Sequence, residues 1–385
     1  MVRASPELQV ALTSLIARAS LSGQAGMAPW RSRVNLIFQA PHRIGSGAHS
    51  GVLHTDALEI VTEHRGAMTP STVGSGAQGA LQRYKMQRKL IWLLFLAPAL
   101  LIYVRFMALP LFNSLALSFF QGTGLTPERF VGFENYIQLF TNPIWRDRFF
   151  NALGNTAVFF AIHMLVQNTL GLLFAVLLAS GIKGHGLLRT VIFLPATLSV
   201  LIIGFLWRLI LNPQWGAVNQ FLKAVGLDQF ALPWLGDPTW ALIVVSLVSV
   251  WQWVGLPTMF FLAGLLTISD ELTEAARVDG ASSWQIFWHI KFPLLLPVIG
   301  IVAVLTFVGN VNAFDIVYAM AGARGEPAYS TDLLGTFFYR TAIAGEHPVA
   351  IPNMGIGAAV ATVMFLILLV GVTAWLVTTQ RNSEV

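Results

Sequence analysis

The chain has 385 residues, 55% of them hydrophobic and 11% charged, where a soluble domain carries about 25% charged residues, so an ordinary water-soluble globular protein is excluded. Cysteine is absent, which excludes disulfides and thiolate metal centres. The formal net charge of +5 comes from basic residues that are scattered or flank apolar runs, a pattern of membrane orientation and not of nucleic-acid binding.

Residues 1–85 are rich in Ser, Gly, Ala and His and hold no apolar run of the roughly 20 residues that cross a bilayer. They read as a mostly disordered cytoplasmic tail. The stretch LQVALTSLIARASL is interrupted by Thr13, Ser14 and Arg18 too early for a signal-peptide core. Met68 precedes a polar leader of ordinary length, and Met86 opens the apolar region, so translation starting at either is an alternative left open.

Residues 86–385 alternate long apolar runs with polar connections. Six spans are predicted: Leu90–Phe119, Ala152–Ala179, Leu188–Leu211, Trp240–Thr267, Leu294–Met320 and Met354–Val377. Hydrocarbon offers no hydrogen bonds, so each is expected to be a helix, making an all-α polytopic membrane protein. Arg83, Lys85, Arg88 and Lys89 crowd the start of span one and place the N-terminus in the cytoplasm. With six spans the C-terminus falls there too. Nine Lys and Arg then lie on the cytoplasmic side against six outside, among them Arg129, Arg148, Arg324 and Arg340.

The connection between spans four and five carries an unusual run, EAARVDGASSWQIFWHIKFPLLLP, from Glu274 to Pro297. Ser269 is the expected N-cap of a short helix through Val278, with Asp270 and Glu271 in its first turn. Gly280 closes it. Ser282 or Ser283 caps a second short helix carrying Trp284, Phe287 and Trp288, and Pro293 opens span five. Ala275 and Ala276 leave little bulk, so a partner surface can approach the backbone beside Glu274. An ordinary loop in which Glu274 pairs with Arg277 remains equally open on these grounds.

The segment 270–297 resembles the signature of the membrane subunits of binding-protein-dependent ABC importers. It is carried by Glu274, Ala275, Ala276, Asp279, Gly280, Ala281, Phe287, Ile290, Pro293 and Pro297, with Phe292 where that family commonly has leucine. Further likeness to the maltose-permease-like first subunit lies in FVGFENYIQLF, ALGNTAVFFAI, LLRTVIFLPATLS, WRLILNPQWGAVNQFL and NAFDIVYAM, covering about residues 86–380. After span five the chain reads AGARGEP in place of the family's TGGGP, so that loop is expected to meet its binding protein differently.

The resemblance implies a six-helix type I importer domain, a permease for a sugar or related polyol in the bacterial or archaeal inner membrane. Its Glu274, Ala275, Ala276, Asp279, Gly280, Ala281 and Phe287 belong to a coupling helix that inserts into an ATPase subunit. It also implies two such ATPases binding ATP and Mg, a second permease in a heterodimer, and an extracytoplasmic solute-binding protein. The chain itself has no GxxxxGK[ST] loop, metal-ligand spacing or nucleophile elbow, so no catalytic residue, metal or cofactor is assigned to it.

Along the substrate path, Trp251, Gln252, Asn310 and Asn312 are the candidates, because amides and aromatic rings suit hydroxyls and sugar faces. Asn310 and Asn312 stand two apart, about 200° around a helix, and are not expected to face one cavity together. Asp315, near the outer end of span five, resembles a structural position of the importer family. Gln167 and Asn168 read as packing residues, His163 as a satisfied interior histidine, and Arg105 and Arg208 as interfacial. Two other readings are an intramembrane lipid-linked transferase using Glu271, Glu274 and Asp279, and an ion-coupled secondary transporter. The first lacks a histidine or cation partner for its carboxylates, and the second lacks visible inverted repeats.

Overall fold

The computed structural model describes Trp92 and residues 94–122, 126–345 and 351–383, so the expected tail and both alternative starts lie outside the described residues. Among the described residues four helices are long and apolar enough to cross a membrane: α1 (Leu94–Leu117), α3 (Pro143–Ala179), α10 (Ser283–Val311) and the Met354–Thr378 part of α13 (Met354–Ser383). Two bent pairs bring the number to six if each pair is counted as one span. One is α4 (His185–Phe193) with α5 (Val200–Ile210), turned by 96°, and the other is α7 (Pro238–Trp253) with α8 (Gly255–Leu266), turned by 45°.

The spans therefore differ from six continuous helices. Pro195 closes off α4 through a short 3-10 turn, Leu194–Thr197, and Ser199 is extended before α5 begins. A break of this kind leaves backbone groups unpaired. Gln252 Nε2, on α7, donates to the Leu198 carbonyl at 3.3 Å and supplies one partner. Span two starts at Pro143, earlier than its apolar run suggests, because Asn142 caps the helix by accepting from Ile144 N–H. Polar side chains inside the spans mostly satisfy themselves: Thr156, Ser246, Thr258 and Thr306 each donate to the carbonyl four residues back.

Between α1 and α3 the chain makes a two-residue antiparallel ladder, β1 (Phe120–Gln121) with β2 (Arg129–Phe130), and a short helix, α2 (Glu134–Thr141). Asn135 fixes this corner by donating to the carbonyls of Ser118 and Phe120 at 2.8 and 2.9 Å. A further short helix, α6 (Ala217–Ala224), follows α5.

Helix α3 holds the body together because it contributes to all three buried apolar clusters. Trp145, Phe149 and Ala152 at its start meet Val311, Phe337, Ile356 and Val360. Phe159 in its middle joins Ile203, Val245, Val317 and Leu333. Ala175 and Leu178 at its end join Phe261, Leu265, Leu295 and Val302. Apolar residues elsewhere face outward, as on α1, whose Phe95 is 86% exposed, the surface that hydrocarbon or a partner helix covers.

Span five ends at Val311, earlier than predicted. Asn312 leaves the helical conformation, and a separate helix, α11 (Asp315–Ala321), starts at Asp315. Asn310 and Asn312 donate to the carbonyls of Thr306 and Val308 at 2.6 and 2.9 Å. These local side-chain bonds compete with continuation of the helix. The chain then returns through α12 (Leu334–Tyr339), which runs on as a π-turn to Ala344.

Arg340, predicted as an ordinary loop cation, is instead fully buried. Its guanidinium bonds Asp332 at both oxygens, 2.9 and 2.6 Å, and the Ala323 carbonyl at 3.2 Å. Thr336 Oγ1 donates to the same carboxylate, and Asn151 and Asn155 of α3 hold the Tyr329 carbonyl. The AGARGEP departure thus sits in a loop tied firmly to span two and to the end of α12.

Candidate functional site

Most of the predicted functional residues lie in two places, an exposed turn and a cavity. At the turn, Ser269 caps α9 (Asp270–Val278) by accepting from Glu271 N–H, with Asp270 and Glu271 in the first turn as expected. Asp279 ends the helix, and Gly280 follows at φ +85°. The Gly280 N–H reaches the Arg277 carbonyl at 3.0 Å and the Ala281 N–H reaches Ala276 at 2.9 Å. This paired closure is a Schellman turn, which needs a left-handed residue that glycine adopts without strain. Nothing within 4 Å crowds a Cβ at Gly280, so the requirement there is conformational and not steric.

The projecting face is open. Glu274, Ala275 and Asp279 are exposed, Ala276 and Ala281 are half-buried, and Val278 is 88% exposed. Glu274 has no ion pair among the described residues, so the local Glu274–Arg277 bridge does not form. Exposed apolar groups beside a free carboxylate and small residues make a surface suited to a protein partner.

The expected second short helix is instead the start of α10. Ser282 and Gln285 form a capping box, and the helix runs on from Ser283 to Val311. Pro293 cannot donate, and its ring would press on the carbonyl four residues earlier. A π-turn over Phe287–Lys291, in which Phe292 N–H reaches Phe287 O, lets the helix pass this point. Half-buried Phe287 and exposed Trp284 and Trp288 stack edge-on along it, with Phe287 and Trp288 ring centres 5.2 Å apart.

The cavity, about 310 Å³, lies where irregular backbone from several spans converges. A π-turn in α3, His163–Gln167, forms one wall. The α7–α8 bend supplies Trp253 and Pro257, and the α10–α11 break supplies Asn310, Asn312 and Asp315. Asn310 and Asn312 therefore do face one cavity, because the helix ends between them. Discontinuous membrane helices are where transporters place binding sites.

Gln167, expected to pack, lines this cavity with its Oε1 buried and without a hydrogen-bond partner among the described residues, as is Asn310 Oδ1. Its position at a π-turn could not be foreseen from an apolar run. Asn168 does pack, accepting from Thr306 Oγ1 at 3.3 Å. His163 is satisfied as predicted, through the Phe159 carbonyl at 2.8 Å and Ser249 Oγ at 3.0 Å, although it too lines the cavity.

Trp251 and Gln252 stand apart from the two asparagines. Trp251 packs edge-on against Trp207 at 5.6 Å and lines a second, apolar cavity with Trp234. Gln252 is fully buried and holds the span-three break. Among the described residues no group of three His, Cys, Asp or Glu side chains is placed to hold a metal ion.

Residues 167–381 match the family described as binding-protein-dependent transport system inner membrane component. A probable ABC transporter permease protein of Bacillus subtilis is 37% identical over 74% of this chain and 94% of its own length. The lactose transport system permease protein of Rhizobium radiobacter is 34% identical over 64% of this chain and 81% of its own. Among solved structures, a bacterial ABC transporter involved in importing the acidic polysaccharide alginate superposes with a TM-score of 0.66 at 25% identity, covering 78% of this chain and 99% of that one.

Proposed function

The chain belongs to the family of binding-protein-dependent transport system inner membrane components, and from that premise we propose that it is the multi-pass permease subunit of an ATP-driven importer of a sugar or related polyol. The carbohydrate cargo of the lactose permease and of the alginate importer supports this reading. The observation that carries it is the α9 turn: a free carboxylate, two alanines and an exposed valine held in a fixed, projecting closure.

In this mechanism α9 is the coupling helix, lodged in a cytoplasmic ATPase subunit that binds ATP and Mg. Glu274 meets a cationic or amide group there. Ala275 and Ala276 admit its surface, while Asp279, Gly280 and Ala281 keep the closure rigid and Phe287 seats the following helix. Two such ATPases close on ATP, and α10 carries the displacement from the turn to the cavity, opening it toward a solute-binding protein docked on the extracytoplasmic side. Both termini lie in the cytoplasm, residues 1–85 form a tail, residues 86–385 form the transporter domain, and a second permease completes the path as a heterodimer.

Asn310 and Asn312 offer hydrogen bonds to sugar hydroxyls in this path, with Trp251 and Gln252 supporting it from the second cavity and the span-three break. The test is purification of the chain with its partners and measurement of substrate-stimulated ATP hydrolysis. Glu274→Ala is expected to insert in the membrane normally and to lose most of the stimulation. Wild-type stimulation in this variant overturns the coupling role, and absence of any ATPase partner favours the transferase or the ion-coupled carrier.

A further inference from the structure

Among the described residues neither lysine nor arginine lines the α3–α7–α8–α10 cavity, and Asp315 is its single carboxylate. Two of its polar side chains, Gln167 and Asn310, are 6% and 5% exposed and keep an acceptor oxygen without a partner. Buried acceptors left unpaired are rare in folded proteins, so these two await a donor. His163 and Ser249 are already engaged with each other. Around these groups Trp253, Phe260 and Phe314 present rings, which suit the apolar faces of a pyranose.

Resting on the reading of this cavity as the sugar path, we propose that it selects neutral, hydroxyl-donating carbohydrate and rejects uronates and sugar phosphates. A hydroxyl donates a hydrogen bond to Gln167 Oε1 or Asn310 Oδ1. A carboxylate or phosphate gives none, loses its water and meets two acceptor oxygens and the Asp315 carboxylate with no cation to offset the charge. The selection is by exclusion as much as by attraction, and it separates this chain from the alginate importer whose fold it shares and whose cargo is acidic.

The test uses the complete transporter, with both permeases and both ATPases, in lipid nanodiscs without the binding protein, so that the binding protein's own preference does not intervene. Saturation-transfer NMR reads binding of maltose, lactose and diacetylchitobiose against alginate oligosaccharides and glucose 6-phosphate at millimolar concentration. At least one neutral sugar is expected to bind and no acidic one. Gln167→Leu and Asn310→Leu should each weaken the neutral sugar about tenfold, the loss of one hydrogen bond, in complexes that elute as the parent does. Asp315→Lys should admit an acidic sugar.

Binding of acidic sugars by the unmodified complex as tight as that of neutral ones overturns the selectivity. Neutral-sugar affinity unchanged in both leucine variants overturns the acceptor role. If no sugar of either class binds, the path reading itself fails, separately from the charge preference.

Discussion

Replacing Arg340 with methionine removes three hydrogen bonds in one step, two to Asp332 and one to the Ala323 carbonyl. Both members of the pair are fully buried, so without Arg340 the Asp332 carboxylate keeps the Thr336 hydroxyl and the more distant charge of Arg148. Burial pushes the Asp332 carboxyl above the usual carboxylate range, while Arg340 and Thr336 pull it back. Without Arg340 the carboxyl must take up a proton or stay charged in an apolar setting. Breaking a buried pair on one side costs about 3–5 kcal/mol, whereas replacing both partners with apolar groups of similar volume is near neutral. Arg340→Met and Asp332→Leu singly should therefore each destabilise by about 3 kcal/mol or more, and the double variant by much less than their sum. Denaturant unfolding of the detergent-solubilised chain, followed by near-UV circular dichroism, reads all corners of the cycle. A single-variant loss below about 1 kcal/mol, or a double variant as damaging as the summed singles, refutes the account.

Two further predictions follow from the packing. Gly204→Val on α5 puts a side chain against Ala319 of α11, and overpacking of this kind should cost about 1–3 kcal/mol by the same unfolding assay. At the projecting turn, Gly280→Asn should retain substrate-stimulated ATP hydrolysis, because asparagine tolerates a left-handed backbone. Gly280→Val should lose it, with about 1–2 kcal/mol of strain at φ +85°. Loss in both variants would show that bulk at the surface, and not backbone conformation, governs the position, and retention in both would show that neither does.

The projecting turn was legible in the sequence residue by residue, since caps, glycine closure and charge placement are local properties. Ser269, Asp270, Glu271 and Gly280 stand where local rules put them. The order and approximate place of the apolar spans were legible for the same reason. Their interruptions were not: the 96° turn around Leu198 leaves a carbonyl whose partner, the Gln252 amide, lies 54 residues away in the chain. The cavity was half legible. Asn310 and Asn312 stood out as polar groups at membrane depth, but their common orientation follows from a helix end, and Gln167 from a π-turn, neither of which a hydrophobicity pattern encodes. Asp332 and Arg340 lie eight residues apart in the chain, a separation at which nothing local signals a pair.

The unbroken run of α10 has a geometric consequence. Ser283 begins it beside the Gly280 closure, and Asn310 lies near its far end in the cavity wall. At 1.5 Å per residue these two points are about 40 Å apart on one rod. A tilt of only about 5° about the lower end then sweeps the asparagine amide sideways by about 3.5 Å, from the same rise per residue. A hydrogen bond survives a few tenths of an ångström, so so small an angle is enough to switch the amide from holding a hydroxyl to releasing it.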